Sequence, residues 1–168
     1  MKPILSLVFF FFSSLVFSQI NVEMTPSGFA SVKIDRPPKT LEKLIEKSQS
    51  WAPYYNRNNR YSFDVYDVTE NALSIDASKE NAFYYRNRGV AYQQRIKYKL
   101  RVEFSDSFYT LTFSIKEIYS GNNITKLSVS DFYASDGRLK EDYEEVKPSL
   151  EFTVNAIIND FATFLITE

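Results

Sequence analysis

The 168-residue chain contains no cysteine and no histidine. Without cysteine there is no disulfide framework, no thiol nucleophile, no thiolate metal site and no residue to carry a lipid at a processed N-terminus. Without histidine there is no serine–histidine triad, and the commonest general base and metal ligand are both missing. Glycine is scarce: Gly28, Gly89, Gly121 and Gly137 stand singly, so there is no glycine-rich loop to cradle a phosphate. No cofactor is expected. Neither sign of charge dominates, with 20 basic against 21 acidic side chains and a net charge of −1. That balance is not the strong positive field of a nucleic-acid binder.

A long apolar run occurs in one place, at the start. Lys2 is followed by Ile4 to Phe12 and Leu15 to Phe17, broken only by serines, with Val16 and the small Ser18 at its end. This is the layout of a signal peptide over residues 1–18, cut between Ser18 and Gln19. The run is short for a transmembrane span, so the processed chain is expected not to cross a membrane. The expected location is outside the cytoplasm, periplasmic or secreted. Residues 19–168 then form a single domain, with its core over about residues 28–166.

The clearest pattern lies between Gln94 and Glu117. Ile96, Tyr98, Leu100, Val102 and Phe104 alternate with Lys97, Lys99, Arg101 and Glu103. After Ser105-Asp106-Ser107 the alternation resumes, with Tyr109, Leu111, Phe113 and Ile115 against Thr110, Thr112, Ser114 and Lys116. A period of two places these sets on opposite faces of an antiparallel hairpin, one face apolar and one able to meet water.

The flanks supply the cover. Ala30, Val32 and Ile34 alternate up to Pro37-Pro38, a first strand. Thr40 is placed to cap a helix carrying Leu41, Leu44, Ile45, Ser48 and Ala52 on one face; Pro53 is expected to end it and Trp51 to anchor it in the core. Tyr61, Phe63 and Val65 predict a second strand, and Leu73, Ile75 and Ala77 a third. Residues 78–93 show no clear period, although the strand from Ile96 can begin as early as Val90. Asp136-Gly137 marks a turn. Leu150, Val154, Ile157, Ile158, Phe161 and Leu165 form the stripe of a last helix, with Ser149 its expected cap and Glu151, Asn155, Asn159 and Thr163 facing outward. The order β-α-β-β-β-β-α predicts an α+β fold, a two-layer antiparallel sheet covered on one face by two helices.

The run from Ile96 to Phe113, with Asp106 in its turn and Trp51 late in the first helix, resembles a family of exported bacterial proteins. That family, found mainly in Bacteroidetes-type bacteria, is described only as a domain of unknown function with a TATA-binding-protein-like fold. Its members often place a glycine and a basic residue after the turn aspartate, where this chain has Ser107 and Phe108. The resemblance implies the fold and an envelope location. It brings no catalytic residues, and a fold shared with a DNA-binding protein does not imply DNA binding.

Acids at Asp131, Asp136, Glu141, Asp142, Glu144 and Glu145 lack the alternate spacing of a calcium loop and read as a solvated turn. No catalytic or metal-binding residue stands out, and no enzyme activity is expected. The candidate binding surface combines aromatics and arginines: Tyr54, Tyr55, Arg57 and Arg60 in one stretch, with Tyr84, Tyr85, Arg86, Arg88 and Tyr92 in another. Tyrosine and arginine recur where proteins meet partners. The expected function is an exported binding module of the bacterial envelope, its partner a protein or another envelope component. The alternatives are a carrier holding an apolar small molecule or lipid between sheet and helices and, more remotely, a carboxylate-dependent hydrolase.

Overall fold

The computed structural model describes residues 20–167; the expected signal peptide lies outside them. The chain forms β1 (Met24–Thr25), β2 (Gly28–Phe29), β3 (Val32–Asp35), α1 (Leu41–Asn56) and β4 (Asp64–Tyr66). Then follow β5 (Ala72–Asn87), β6 (Val90–Phe104), β7 (Phe108–Ser120) and β8 (Asn123–Ile124). Two short 3-10 turns, Val129–Phe132 and Glu141–Tyr143, lead into α2 (Val146–Ile166).

The main sheet runs β3-β7-β6-β5-β4 with antiparallel neighbours, and β8 pairs with the end of β7. The expected β6–β7 hairpin is its centre. Ile96, Tyr98, Leu100, Val102 and Phe104 are all 0–3% exposed, beneath Leu44 and Trp51 of α1 and Leu150, Val154, Ile157 and Phe161 of α2. Each such side chain stabilises the fold by about 1.5–3 kcal/mol through burial. The fold is therefore the expected α+β, an antiparallel sheet with two helices.

Several local expectations need correction. The strand expected at Tyr61–Val65 is confined to Asp64–Tyr66. Residues 78–93, aperiodic in sequence, are the far half of a continuous β5–β6 hairpin. A register shift between Lys79 and Phe83, with Asn81 at φ 48°, turns the consecutive Ala82 and Phe83 both inward, each 1% exposed. Such a bulge resets the alternation and hides the strand from a period-two reading.

Pro53 does not end α1. The helix runs on to Asn56, because a proline in the last turn removes one backbone donor while its own carbonyl and those before it remain usable. Ser149 is not the cap of α2 either; the helix starts at Val146, and Pro148 sits in the first turn, where no N–H is required. Ser149 Oγ instead donates back to the Glu145 carbonyl at 2.6 Å.

Glu151, Asn155 and Asn159 do not face open water. They hold an extended strap, residues 20–24, whose Val22 and Met24 are 3% and 1% exposed. The core thus reaches back beyond the expected boundary at residue 28. Thr163 is exposed, as expected.

Candidate binding face

The uncovered face of the sheet is built by the other half of each alternation. Along β6 it presents Arg95, Lys97, Lys99 and Arg101; β7 adds Thr110, Thr112 and Ser114 beside them. The register continues into Asp76 and Ser74 of β5, then Asp64 and Tyr66 of β4. Lys116 is the unpaired residue of a bulge in β7, so Glu117 and Tyr119 return to the open face opposite Lys97 and Arg95.

Rings and cations interlock there. The Arg95 guanidinium lies between two tyrosine rings, 4.0 Å from the Tyr61 centroid and 3.6 Å from that of Tyr119. Tyr61 arrives from the loop before β4, tied by its backbone N–H to Asn59 Oδ1 at 3.1 Å, while Asn59 Nδ2 donates to the Ser78 carbonyl at 2.6 Å. Arg60 lies 5.1 Å from the Tyr61 centroid and pairs with Glu80 at 2.6 Å. The Tyr119 hydroxyl donates to Glu117, and that hydrogen bond to a carboxylate holds its pKa above the ordinary tyrosine value.

Towards the middle of the face, Lys99 lies 4.9 Å from the Tyr66 centroid, and Tyr66 donates to Asp76 at 2.9 Å. The Lys99 pKa is raised, first by its hydrogen bond with Tyr66 and further by the charges of Asp76 and Asp67. Arg101 reaches Glu103 at 3.2 Å and Ser74 Oγ at 3.4 Å. Ser31 and Thr112 share a hydroxyl hydrogen bond of 2.7 Å, and Lys33 stands 4.7 Å from the Phe108 centroid. Cation–π contacts at such sites contribute about 0.5–1 kcal/mol each and offset part of the entropy cost of ordering these side chains.

The residues singled out from the sequence do not form one patch. Tyr54 packs on Phe164 of α2 at 5.1 Å with Arg57 above it at 4.4 Å. Tyr55 turns inward and stacks on Trp51 at 4.8 Å; burial, with the Asp160 charge second, pushes its pKa up to about 12. Arg60 alone joins the open face. Tyr85 stacks on Tyr92 at 5.4 Å and meets Tyr143, while Arg86 pairs with Glu145 at 3.0 Å and the Tyr84 backbone N–H donates to Ser149 Oγ at 3.4 Å. Arg88 forms the hairpin turn with Gly89. From Glu145 to Phe164 is nineteen residues along α2, roughly 28 Å at the helical rise, so the two groups stand at opposite ends of that helix.

Tyr61, Arg95 and Tyr119 were not singled out from the sequence. The phase of β6 already placed Arg95 with Lys97 and Lys99; the arrival of Tyr61 from a loop left no such signal. The face offers ring planes, guanidinium and ammonium donors and hydroxyls, with neither thiol nor imidazole in the chain. Among the described residues no three acidic side chains gather closely enough to hold a metal ion.

No protein-family model and no curated protein matches the sequence. Solved structures do. A TBP-like protein from Parabacteroides distasonis ATCC 8503 superposes with a TM-score of 0.58 at 17% identity, over 81% of this chain and 90% of that one. The fold is TATA-binding-protein-like. A DUF4468 family protein from Bacteroides ovatus ATCC 8483 shares it, with a TM-score of 0.54 at 8% identity over 83% of this chain and 86% of that one. The expected resemblance to a domain of unknown function of Bacteroidetes with a TATA-binding-protein-like fold therefore holds at the level of structure. At these identities it speaks for the fold alone.

Proposed function

We propose that the protein is an exported, non-enzymatic binding module of the bacterial cell envelope, and that the open face of its sheet receives a protein or another envelope component. The observation that carries this reading is Arg95 clamped between Tyr61 and Tyr119 on that face. Three separate elements converge to preorganise one guanidinium, which lowers the ordering cost of an encounter. Aromatic and arginine anchors supply a large share of interface energy elsewhere.

A carrier would need room between sheet and helices. That layer is occupied by Trp51, Tyr98, Phe83, Phe132 and Phe161, each 0–1% exposed.

The test is site-directed photo-crosslinking from the open face in cells that export the protein, with a probe at Thr112. A partner adduct is expected with the unaltered face. Arg95→Ala and Tyr119→Ala should each abolish it while the circular dichroism spectrum is unchanged. An adduct insensitive to both substitutions would defeat the proposal, as would none at all from a probe-bearing, folded, exported chain. Export itself is read by N-terminal sequencing, which should find Gln19 first.

A further inference from the structure

Three side chains spaced one helical turn apart on α2 grip alternate residues of the strap. Asn159 Oδ1 accepts from the Ile20 N–H at 3.0 Å and its Nδ2 donates to the Ile20 carbonyl at 2.8 Å. Asn155 does the same for Val22, at 2.7 and 3.1 Å. Glu151 Oε1 accepts from the Met24 N–H at 2.7 Å. Each carboxamide offers a donor and an acceptor to one residue, as a neighbouring strand would. The spacings agree because four helical residues rise about 6.0 Å and two extended residues about 6.6–6.8 Å. This ladder reads main chain, while the side chains of Val22 and Met24 enter the core.

We infer that this ladder is a docking site for an extended peptide, and that its second occupant is the same segment of another copy of this chain, so that two chains exchange residues 20–24 and form a dimer. The occupant follows from what is seated there: the identical sequence already fits every rung. Exchange conserves those contacts, and its balance is set by the hinge and by whatever new surface is buried. The hinge is Pro26-Ser27-Gly28. The closed turn has Gly28 at φ +100°, a conformation glycine adopts freely, and Thr25 Oγ1 donates to the Gly28 carbonyl at 2.9 Å. Opened out, β1 and β2 become one extended arm. A candidate new surface is also in place: Phe152, 78% exposed, lines the groove beside the strap together with Ile20, Asn21 and Ala156.

The cysteine-free sequence makes the test clean. Asn21 and Ala156 line one groove beside the ladder. Asn21→Cys and Ala156→Cys are made in separate preparations of Gln19–Glu168, which contains every described residue. They are mixed at high concentration, warmed to just below unfolding, cooled and oxidised. Exchange predicts mixed disulfide dimers well above the share expected from random collision of the two thiols. Adding Phe152→Ser to both should lower dimer formation about tenfold or more, the effect of losing on the order of 1.4 kcal/mol of buried apolar contact. Deleting Pro26 and Ser27, which prevents folding back, should give a dimer by light scattering at concentrations where the unaltered chain is monomeric. Mixed products at the random share, or a folded monomer from the deletion, would overturn the inference. If the deletion variant does not fold, the cysteine pair in the unaltered turn decides alone.

Discussion

The indole N–H of Trp51 donates to the Asp160 carboxylate across 2.6 Å and ties α1 to α2. The indole is 0% exposed, stacked on Tyr55 and met edge-on by Phe161 at 5.2 Å. Trp51→Phe removes both ring volume and the donor, leaving the Asp160 oxygen in need of a partner. It should cost about 2–4 kcal/mol in urea unfolding followed by circular dichroism. Asp160→Asn keeps an oxygen acceptor and should cost no more than about 1 kcal/mol. Because Trp51 is the only tryptophan, its emission reports the second variant directly.

Alkaline pH should unfold the protein through its buried phenols. Burial is the main cause of the raised pKa of Tyr55, to about 12, and also raises those of Tyr98 and Tyr109. The unfolded chain releases these protons near pH 10, while the native chain still holds them. Stability is therefore full below about pH 10 and is lost as pH climbs towards 12. Tyrosinate absorbance should show late-titrating phenols in the native protein that titrate normally in urea. Among the described residues, the buried Tyr98 hydroxyl has no hydrogen-bond partner. Tyr98→Phe should accordingly raise neutral-pH stability by about 1 kcal/mol and blunt the alkaline loss; a destabilised variant would show that the hydroxyl is satisfied.

How much of this was legible follows from what each feature depends on. The β6–β7 hairpin, the Thr40 cap and the burial of Trp51 rest on local period, local capping chemistry and side-chain size, and all three are found. The tip of the β5–β6 hairpin was illegible because the bulge at residues 80–82 shifts the phase of the alternation. The polar residues Glu151, Asn155 and Asn159 read as solvent-facing because their partners lie more than 120 residues away and are backbone groups, which leave no side-chain pattern. The candidate surface misjudged Tyr55 and scattered the rest for a related reason. Proximity in sequence placed Tyr54 and Tyr55 together, whereas a helix sends adjacent residues to different faces. Arg95 of the open face was within reach of the alternation; Tyr61 was not.

The turn at the tip of that hairpin carries a backbone cost. Arg88 and Gly89 form a two-residue connection with φ of 51° and 78°, the left-handed pair that suits the strand twist and favours asparagine followed by glycine. Arg88→Asn should lower the cost of the left-handed backbone, since the short amide can hydrogen-bond locally, and stabilise the hairpin by roughly 0.5–1 kcal/mol. Gly89→Val should do the reverse by more than about 1 kcal/mol, because a β-branched residue is a poor fit at positive φ. Amide exchange at Tyr85 and Tyr92 reads both effects without requiring global unfolding.

The strap ladder makes a prediction whose sign depends on pH. Asn155 both accepts from and donates to the backbone of Val22. Asn155→Asp keeps the acceptor, but at neutral pH it loses the donor and places a carboxylate oxygen against the Val22 carbonyl. The variant should be destabilised by about 2 kcal/mol at pH 7. Near its ordinary pKa of about 4 the carboxyl regains a proton and, with it, a donor, so the deficit against the unaltered chain should shrink as pH falls to about 3. Asn155→Ala loses both bonds at every pH and should show no such recovery. Amide protection at Val22 distinguishes the two: restored at low pH in the aspartate variant, absent throughout in the alanine one. If both variants behave alike, the strap is held by the burial of Val22 and Met24, and the carboxamide rungs are incidental to it.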